Sequence, residues 1–179
     1  QFFLRSELEN DQYLTEGSIY DQNKRKVRFV VGDVRDFSSV KSSMQDHDLV
    51  VHAAALKQVP SCEIFPIEAM NTNCLGAKNI VRAIQETSSI TKCVFISTDK
   101  AAKPTNAMGI TKALQEKIFI AANSHNHDTK YVGVRYGNVI ASRGSVIPIF
   151  ANLIKNKQTV PITDRNMTRF LLTLQQAVE

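Results

Sequence analysis

The stretch Ser97 to Lys112, STDKAAKPTNAMGITK, packs many titratable groups into a short length. Thr98 offers a hydroxyl, Asp99 an acid and Lys100 an amine, on three successive residues. They follow the apolar, β-rich run Cys93-Val94-Phe95-Ile96 and precede a helix expected to begin after Pro104. On that helix Met108 and Lys112 are spaced i, i+4 and share one face. Neighbouring acid and amine groups at the carboxyl edge of a parallel sheet sit where α/β folds keep their ligands. The plain alternative is a solvated loop followed by a charged helix start.

The elements that must position these groups can be read from hydropathy patterning. Residues 1–4 look like the end of a strand, and Glu7 to Thr15 could form one helix. The β-branched run Val27–Val31 predicts a strand ending at Gly32-Asp33. Asp36 then caps a helix reaching about Gln45, with Phe37, Val40 and Met44 at helical spacing. Leu49–Ala55 reads as a buried strand. A long helix over Ile67–Glu86 places Ala69, Met70, Asn73, Ala77, Ile80, Val81 and Ile84 on its inner side. A strand at Lys92–Ser97, a helix near Thr105–Ser124 and a strand at Tyr131–Tyr136 complete the alternation. Apolar strands alternating with helices imply a parallel sheet covered on both faces. After Gly137, Ser142–Ser145 predicts a turn and Val146–Asn156 a short helix with Pro148 in its first turn. Thr159–Thr163 predicts an edge strand because of Pro161, and Thr173–Glu179 begins another helix.

A chain of 179 residues with 43% hydrophobic content is expected to form about one soluble domain. No apolar run approaches membrane-spanning length, so no membrane insertion is expected. The net charge of +5 suits an anionic ligand. Its basic residues are scattered, and no zinc-finger, helix-turn-helix or RNP-like pattern points to nucleic acid. Cys62, Cys74 and Cys93 form no CxxC pair, which favours buried, reduced thiols in a cytoplasmic protein. His125 and His127 alone make no convincing metal site. A dinucleotide fold opens with a strand, a Gly-rich turn and a helix, yet neither GxGxxG nor GxxGxxG occurs. The expected architecture is therefore an incomplete, Rossmann-like, doubly wound sheet that begins on its second strand and stops inside a small substrate lobe. Residues 1–140 would be the partial cofactor domain and 141–179 the partial substrate region.

Several segments together make the chain recognisable. They are GDVRD at residues 32–36, HAAALKQVP at 52–60, NTN at 71–73 and STDKA at 97–101. RYGNV at 135–139, SRGSV at 142–146 and MTRF at 167–170 follow. In this order the chain resembles the extended short-chain dehydrogenase/reductase superfamily, and within it the inverting UDP-N-acetylglucosamine 4,6-dehydratases of surface-polysaccharide synthesis, such as capsule. The MxxxK form of Met108–Lys112 is similar to a subgroup in which epimerisation at C3 or C5 accompanies dehydration. The superfamily normally carries Tyr where Met108 stands.

The resemblance implies an NADP-dependent lyase acting on a UDP-N-acetylglucosamine-type sugar, as a homo-oligomer. Lys100 is implied as the base for the C5 proton, Asp99 as the acid for the departing C6 hydroxyl, and Thr98 as a partner of the C4 oxygen. Lys112 and the substituted Met108 complete the implied catalytic set. Cofactor contacts are implied for Arg5, Asp33, Val34, Ala53, Ala54, Ala55, Lys57, Asn73, Ser97, Lys112, Tyr136, Asn138 and Val139. Arg5 would meet the 2′-phosphate that separates NADP from NAD. An ordinary surface arginine, and for Lys57 a plain surface lysine, are the alternatives. Substrate contacts are implied for Lys57, Lys100, Asn138, Val146, Pro148, Thr163, Met167 and Arg169. Two other functions stay open: a UDP-sugar 4-epimerase, and a non-catalytic nucleotide-binding or assembly module.

Overall fold

The computed structural model describes residues 29–125, 128–140 and 145–178. The chain forms two compact units, Gln1–Asp33 and Val34–Glu179. The segments expected at residues 1–4 and Glu7–Thr15, and Arg5 with them, lie outside the described residues.

Three parallel strands make the sheet, in the order β1 (Leu49–His52), β2 (Lys92–Thr98), β3 (Lys130–Tyr136). Leu49 is in register with Lys92, and Lys92 with Lys130. Before the sheet, α1 (Phe37–Ser43) is capped as its sequence predicts, the Asp36 carboxylate accepting from the Ser38 amide at 3.0 Å. Between β1 and β2 run α2 (Val59–Ile64), α3 (Pro66–Met70), a π-helical turn (Asn71–Leu75) and α4 (Gly76–Gln85). α5 (Ala107–His125) connects β2 to β3.

Residues in register point to the same side of a sheet, so one face carries Val50, His52, Cys93, Phe95 and Tyr131. That face is buried. Phe119 of α5 stacks on Phe95 at 4.5 Å between ring centroids and tilts against Tyr131 and His52. Ile80, Ala83 and Ile84 of α4 join the same core with Val40 and Met44. Gly133 is required here, since a Cβ would lie 2.4 Å from the Phe95 ring. Fully burying a side chain the size of Phe119 contributes about 1.5–3 kcal/mol. The opposite face is open: Val51 is 60% and Val132 41% exposed. The parallel α/β sheet is Rossmann-like as expected, with its helices among the described residues on one face. Right-handed crossovers that step twice in the same direction along a sheet lay both connections on one face.

Other boundaries also differ. Phe29–Val31 carry no strand, and β1 stops at His52 rather than Ala55. Thr159–Thr163 forms no strand: Pro161 removes a donor, and no described strand pairs with it. The second sheet is instead a short parallel pair, β4 (Asn138–Val139) with β5 (Leu171–Leu172). α6 (Val146–Lys155) and α7 (Leu174–Val178) fall where the sequence placed them. No helix of the described residues is long and apolar enough to cross a membrane. All three cysteines are free and buried.

Candidate active site

β2 delivers Thr98 in extended conformation, and the chain turns at once into a 3-10 turn, Asp99–Ala101. Thr98 Oγ1 accepts from the Lys100 amide at 3.4 Å and donates to Asp99 Oδ1 at 2.8 Å. Lys100 Nζ donates to the same carboxylate oxygen at 3.1 Å and to Asn138 Oδ1 at 3.2 Å. Asn138 is anchored by its backbone amide, which donates to the carbonyl of Phe170, the residue before Leu171–Leu172, at 3.0 Å. Thr98, Asp99, Lys100 and Asn138 therefore form one hydrogen-bonded chain at the carboxyl edge of the sheet. Burial pushes the Asp99 carboxyl up, but Thr98 and the Lys100 ammonium and amide together outweigh it and hold it below its ordinary range. The resting pair is thus carboxylate and ammonium. It stays open to solvent, with the lysine side chain 38% and the aspartate 40% exposed. Lys100 is partnered by the Asp99 carboxylate.

α5 packs tightly beneath this turn. The Gly109 amide donates to Asn106 Oδ1 at 2.8 Å, and a Cβ on Gly109 would lie 2.7 Å from the Lys100 carbonyl. One turn later the buried Lys112 donates from Nζ to the Ile96 carbonyl at 2.6 Å. Burial lowers its pKa to about 8, with Glu116 the larger influence resisting the shift. Met108 is 5% exposed and belongs to a small apolar cluster with Cys62 and Ala69, flanked by Leu56 and Val59. Its thioether fills a core; it offers no group for proton transfer.

Asn73 lies in the π-helical turn and is wholly buried. Its Oδ1 accepts from the Leu56 amide at 2.9 Å, while Nδ2 donates to the Leu56 carbonyl at 3.1 Å and to Thr111 Oγ1 at 3.0 Å. This clamp sets the path of the segment that leaves β1. Ala53 and Ala54 are exposed there, Ala55 is half-buried and Lys57 is exposed. π-helical turns are frequent at functional sites.

The remaining expected contacts divide sharply. Tyr136 pairs with Thr98 across the sheet, and Val139 lies in β4. Val34 packs on the main core, its carbonyl accepting from Asn79 Nδ2 at 3.0 Å. Asp33 is exposed and lies in the first unit. Val146 opens α6, Pro148 lies in its first turn, and Thr163, Met167 and Arg169 lie on the exposed segment before β5. Ser97 is buried, and its hydroxyl donates to Glu116 inside the molecule. Sequence patterning missed Glu116, Asn79 and α2. Glu116 was detectable as an acid on the inner face of α5, one turn after Lys112.

These residues fit the nicotinamide-ribose end of a dinucleotide. Small, exposed alanines follow β1, a buried ammonium stands behind β2, and hydroxyl and amide groups line the strand ends. No Gly-rich pyrophosphate turn is present in the sequence.

Comparison with known proteins extends the picture. A family model described as polysaccharide biosynthesis protein matches residues 1–179. A UDP-glucose 4-epimerase of Rickettsia bellii is 51% identical over 159 residues, 88% of this chain and 46% of the relative. The chain spans about half the length of the curated relatives it matches. Pen from Bacillus thuringiensis superimposes with a TM-score of 0.87 at 38% identity, covering 99% of this chain and 51% of Pen. DesIV, a dTDP-glucose 4,6-dehydratase from Streptomyces venezuelae with NAD and TYD bound, shares the fold at a TM-score of 0.76 and 19% identity. That match covers 86% of this chain and 52% of DesIV.

Proposed function

From the membership of this chain in the polysaccharide biosynthesis protein family, matched from residue 1 to 179, we propose that the whole protein is a nicotinamide-dependent enzyme that removes water from a UDP-N-acetylglucosamine-type sugar. The observation that carries this is the Asp99–Lys100 pair, an acid and an amine sharing a hydrogen bond at the sheet edge. A bound nicotinamide would supply the oxidant for C4 and return the hydride to C6. Thr98 hydrogen-bonds the C4 oxygen, whose proton leaves to a water as the ketone forms; Lys100 takes the proton from C5, and Asp99 protonates the departing C6 hydroxyl. That step needs neutral Lys100 and protonated Asp99, the reverse of their resting charges. A sugar that strips water from the exposed pair favours moving one proton across the 3.1 Å contact, because two charges lose more solvation than two neutral groups. After water departs the pair is again charged, and the same transfer resets it. A proton from water on the opposite face of C5 completes an inverting dehydration.

The name of the Rickettsia relative favours a second reading, 4-epimerisation of a UDP-sugar. Both reactions begin with loss of the C4 hydroxyl proton, which buried Met108 cannot accept; what favours dehydration is the Asp99–Lys100 pair, which 4-epimerisation does not need. Arg5 is proposed to select NADP, although NAD is the cofactor named with DesIV. The test is incubation of the full-length protein with UDP-N-acetylglucosamine and each cofactor, followed by mass spectrometry. A product lighter by one water is expected. An isomer of unchanged mass would replace dehydration by epimerisation, and no product with any UDP-hexose would overturn both.

A further inference from the structure

Beneath the sheet edge lies a polar group that the proton chemistry above does not use. Glu116 sits one turn after Lys112 on the inner face of α5 and is buried. Arg135 of β3 donates to it twice, from Nε to Oε1 at 2.8 Å and from Nη2 to Oε2 at 2.5 Å. Ser97 of β2 donates to Oε1. Lys112 meanwhile donates to the carbonyl of Ile96, the residue before Ser97. Two successive turns of α5 are thereby stapled to two successive residues of β2, one by an ammonium and one by a carboxylate.

We propose that Glu116 is a positioning residue of this site: fixed by Ser97 and Arg135, its carboxylate is the counter-charge that keeps Lys112 an ammonium aimed at the Ile96 carbonyl. A cation buried without such a partner is costly and tends to shed its proton. The other groups facing Lys112 cannot replace it. His52 on β1 is buried, and burial followed by the Lys112 charge lowers its pKa to about 4, so it is neutral at pH 7. Burial raises the Cys74 thiol on the π-helical turn, so it too is neutral there. Arg135 is itself a cation and acts through Glu116. The arrangement sets a balance: Arg135 fixes the carboxylate but also draws on its charge, leaving Lys112 only part of it.

The proposal rests on Lys112 being a site residue, as in the function proposed above, but its test needs no turnover. In full-length protein with carbon-13-labelled lysine, the Cε resonance lost in Lys112→Arg identifies Lys112, and its titration is followed by NMR. Glu116→Gln is expected to move the midpoint down by about one pH unit. Arg135→Gln is expected to move it up, because the carboxylate is freed toward Lys112. Opposite shifts are what a counter-charge produces; a merely structural contact gives none, or the same sign for both. Midpoints that stay put, or move together, overturn the proposal. Should Glu116→Gln not fold, Arg135→Gln decides alone, since the Arg135 side chain is half exposed; an unchanged or lowered midpoint refutes it. Absence of sugar turnover by the wild type would sink the proposed reaction while leaving these shifts standing.

Discussion

Replacing Asn73 tests whether the segment after β1 is held as described. Asn73 makes three hydrogen bonds from a site with no solvent exposure, two to the backbone of Leu56 and one to Thr111. At about 1 kcal/mol each, Asn73→Ala should cost roughly 3 kcal/mol, with the small cavity adding to it. Asn73→Asp is the more informative change. An aspartate oxygen can still accept from the Leu56 amide, but its second oxygen would face the Leu56 carbonyl. An ionised carboxylate there loses a donor and buries a charge, so its folded-state pKa rises above the unfolded value. The protonated form can donate to that carbonyl again. A raised carboxyl pKa means that stability is kept at low pH and lost as pH rises through the unfolded-state and folded-state values. Asn73→Asp should therefore be less stable than Asn73→Ala at pH 8 and recover toward it near pH 5. Urea unfolding of the full-length protein, followed by circular dichroism at both pH values, measures this. An Asn73→Ala variant within about 1 kcal/mol of wild type, or an Asn73→Asp variant indifferent to pH, would refute the clamp.

Lys100→Ala should reduce sugar dehydration by about 10²–10⁴ with little loss of stability, because exposed ion pairs contribute only about 0–1 kcal/mol; near-normal turnover would remove Lys100 from the chemistry. Met108→Ala should do the opposite, costing about 2–5 kcal/mol of stability in urea unfolding while turnover falls roughly tenfold or less. Greater loss of turnover in a folded Met108→Ala variant would give the thioether a direct role. His52 adds acid lability: its folded pKa of about 4 lies below the ordinary histidine value of 6.5, so stability falls as pH drops from 6.5 through 4. His52→Leu should flatten that part of the stability–pH curve, and an unchanged curve would show that burial of His52 is not its source.

What could be read from sequence followed the physics of each signal. Asp36 capped its helix and β2 ended at the polar residues because those are local effects, complete within a few residues. The Thr98-Asp99-Lys100 group was legible for the same reason. Its partner Asn138 could be named only by resemblance, since the contact joins residues far apart in the chain. Glu116 breaks the apolar periodicity expected on the inner face of α5, and only its spacing one turn after Lys112 marks it; the opposing Arg135 and Ser97 make an acid tolerable there. The Thr159–Thr163 strand failed because β-propensity says nothing about whether a neighbour exists. Which face the described helices cover was not legible, because crossover direction is a property of topology, not of apolar content.

The π-helical turn constrains this region in length more than in composition. Each added residue rotates an α-helix by about 100°. The extra residue in Asn71–Leu75 lets Ala69, before it, face the Met108 cluster while Ala77 and Ile80, after it, face the main core. Deleting one residue there would restore regular helical hydrogen bonds locally, yet swing one of those two faces into solvent. Homologous chains should therefore vary in side chains along this helix far more freely than they accept gaps within it.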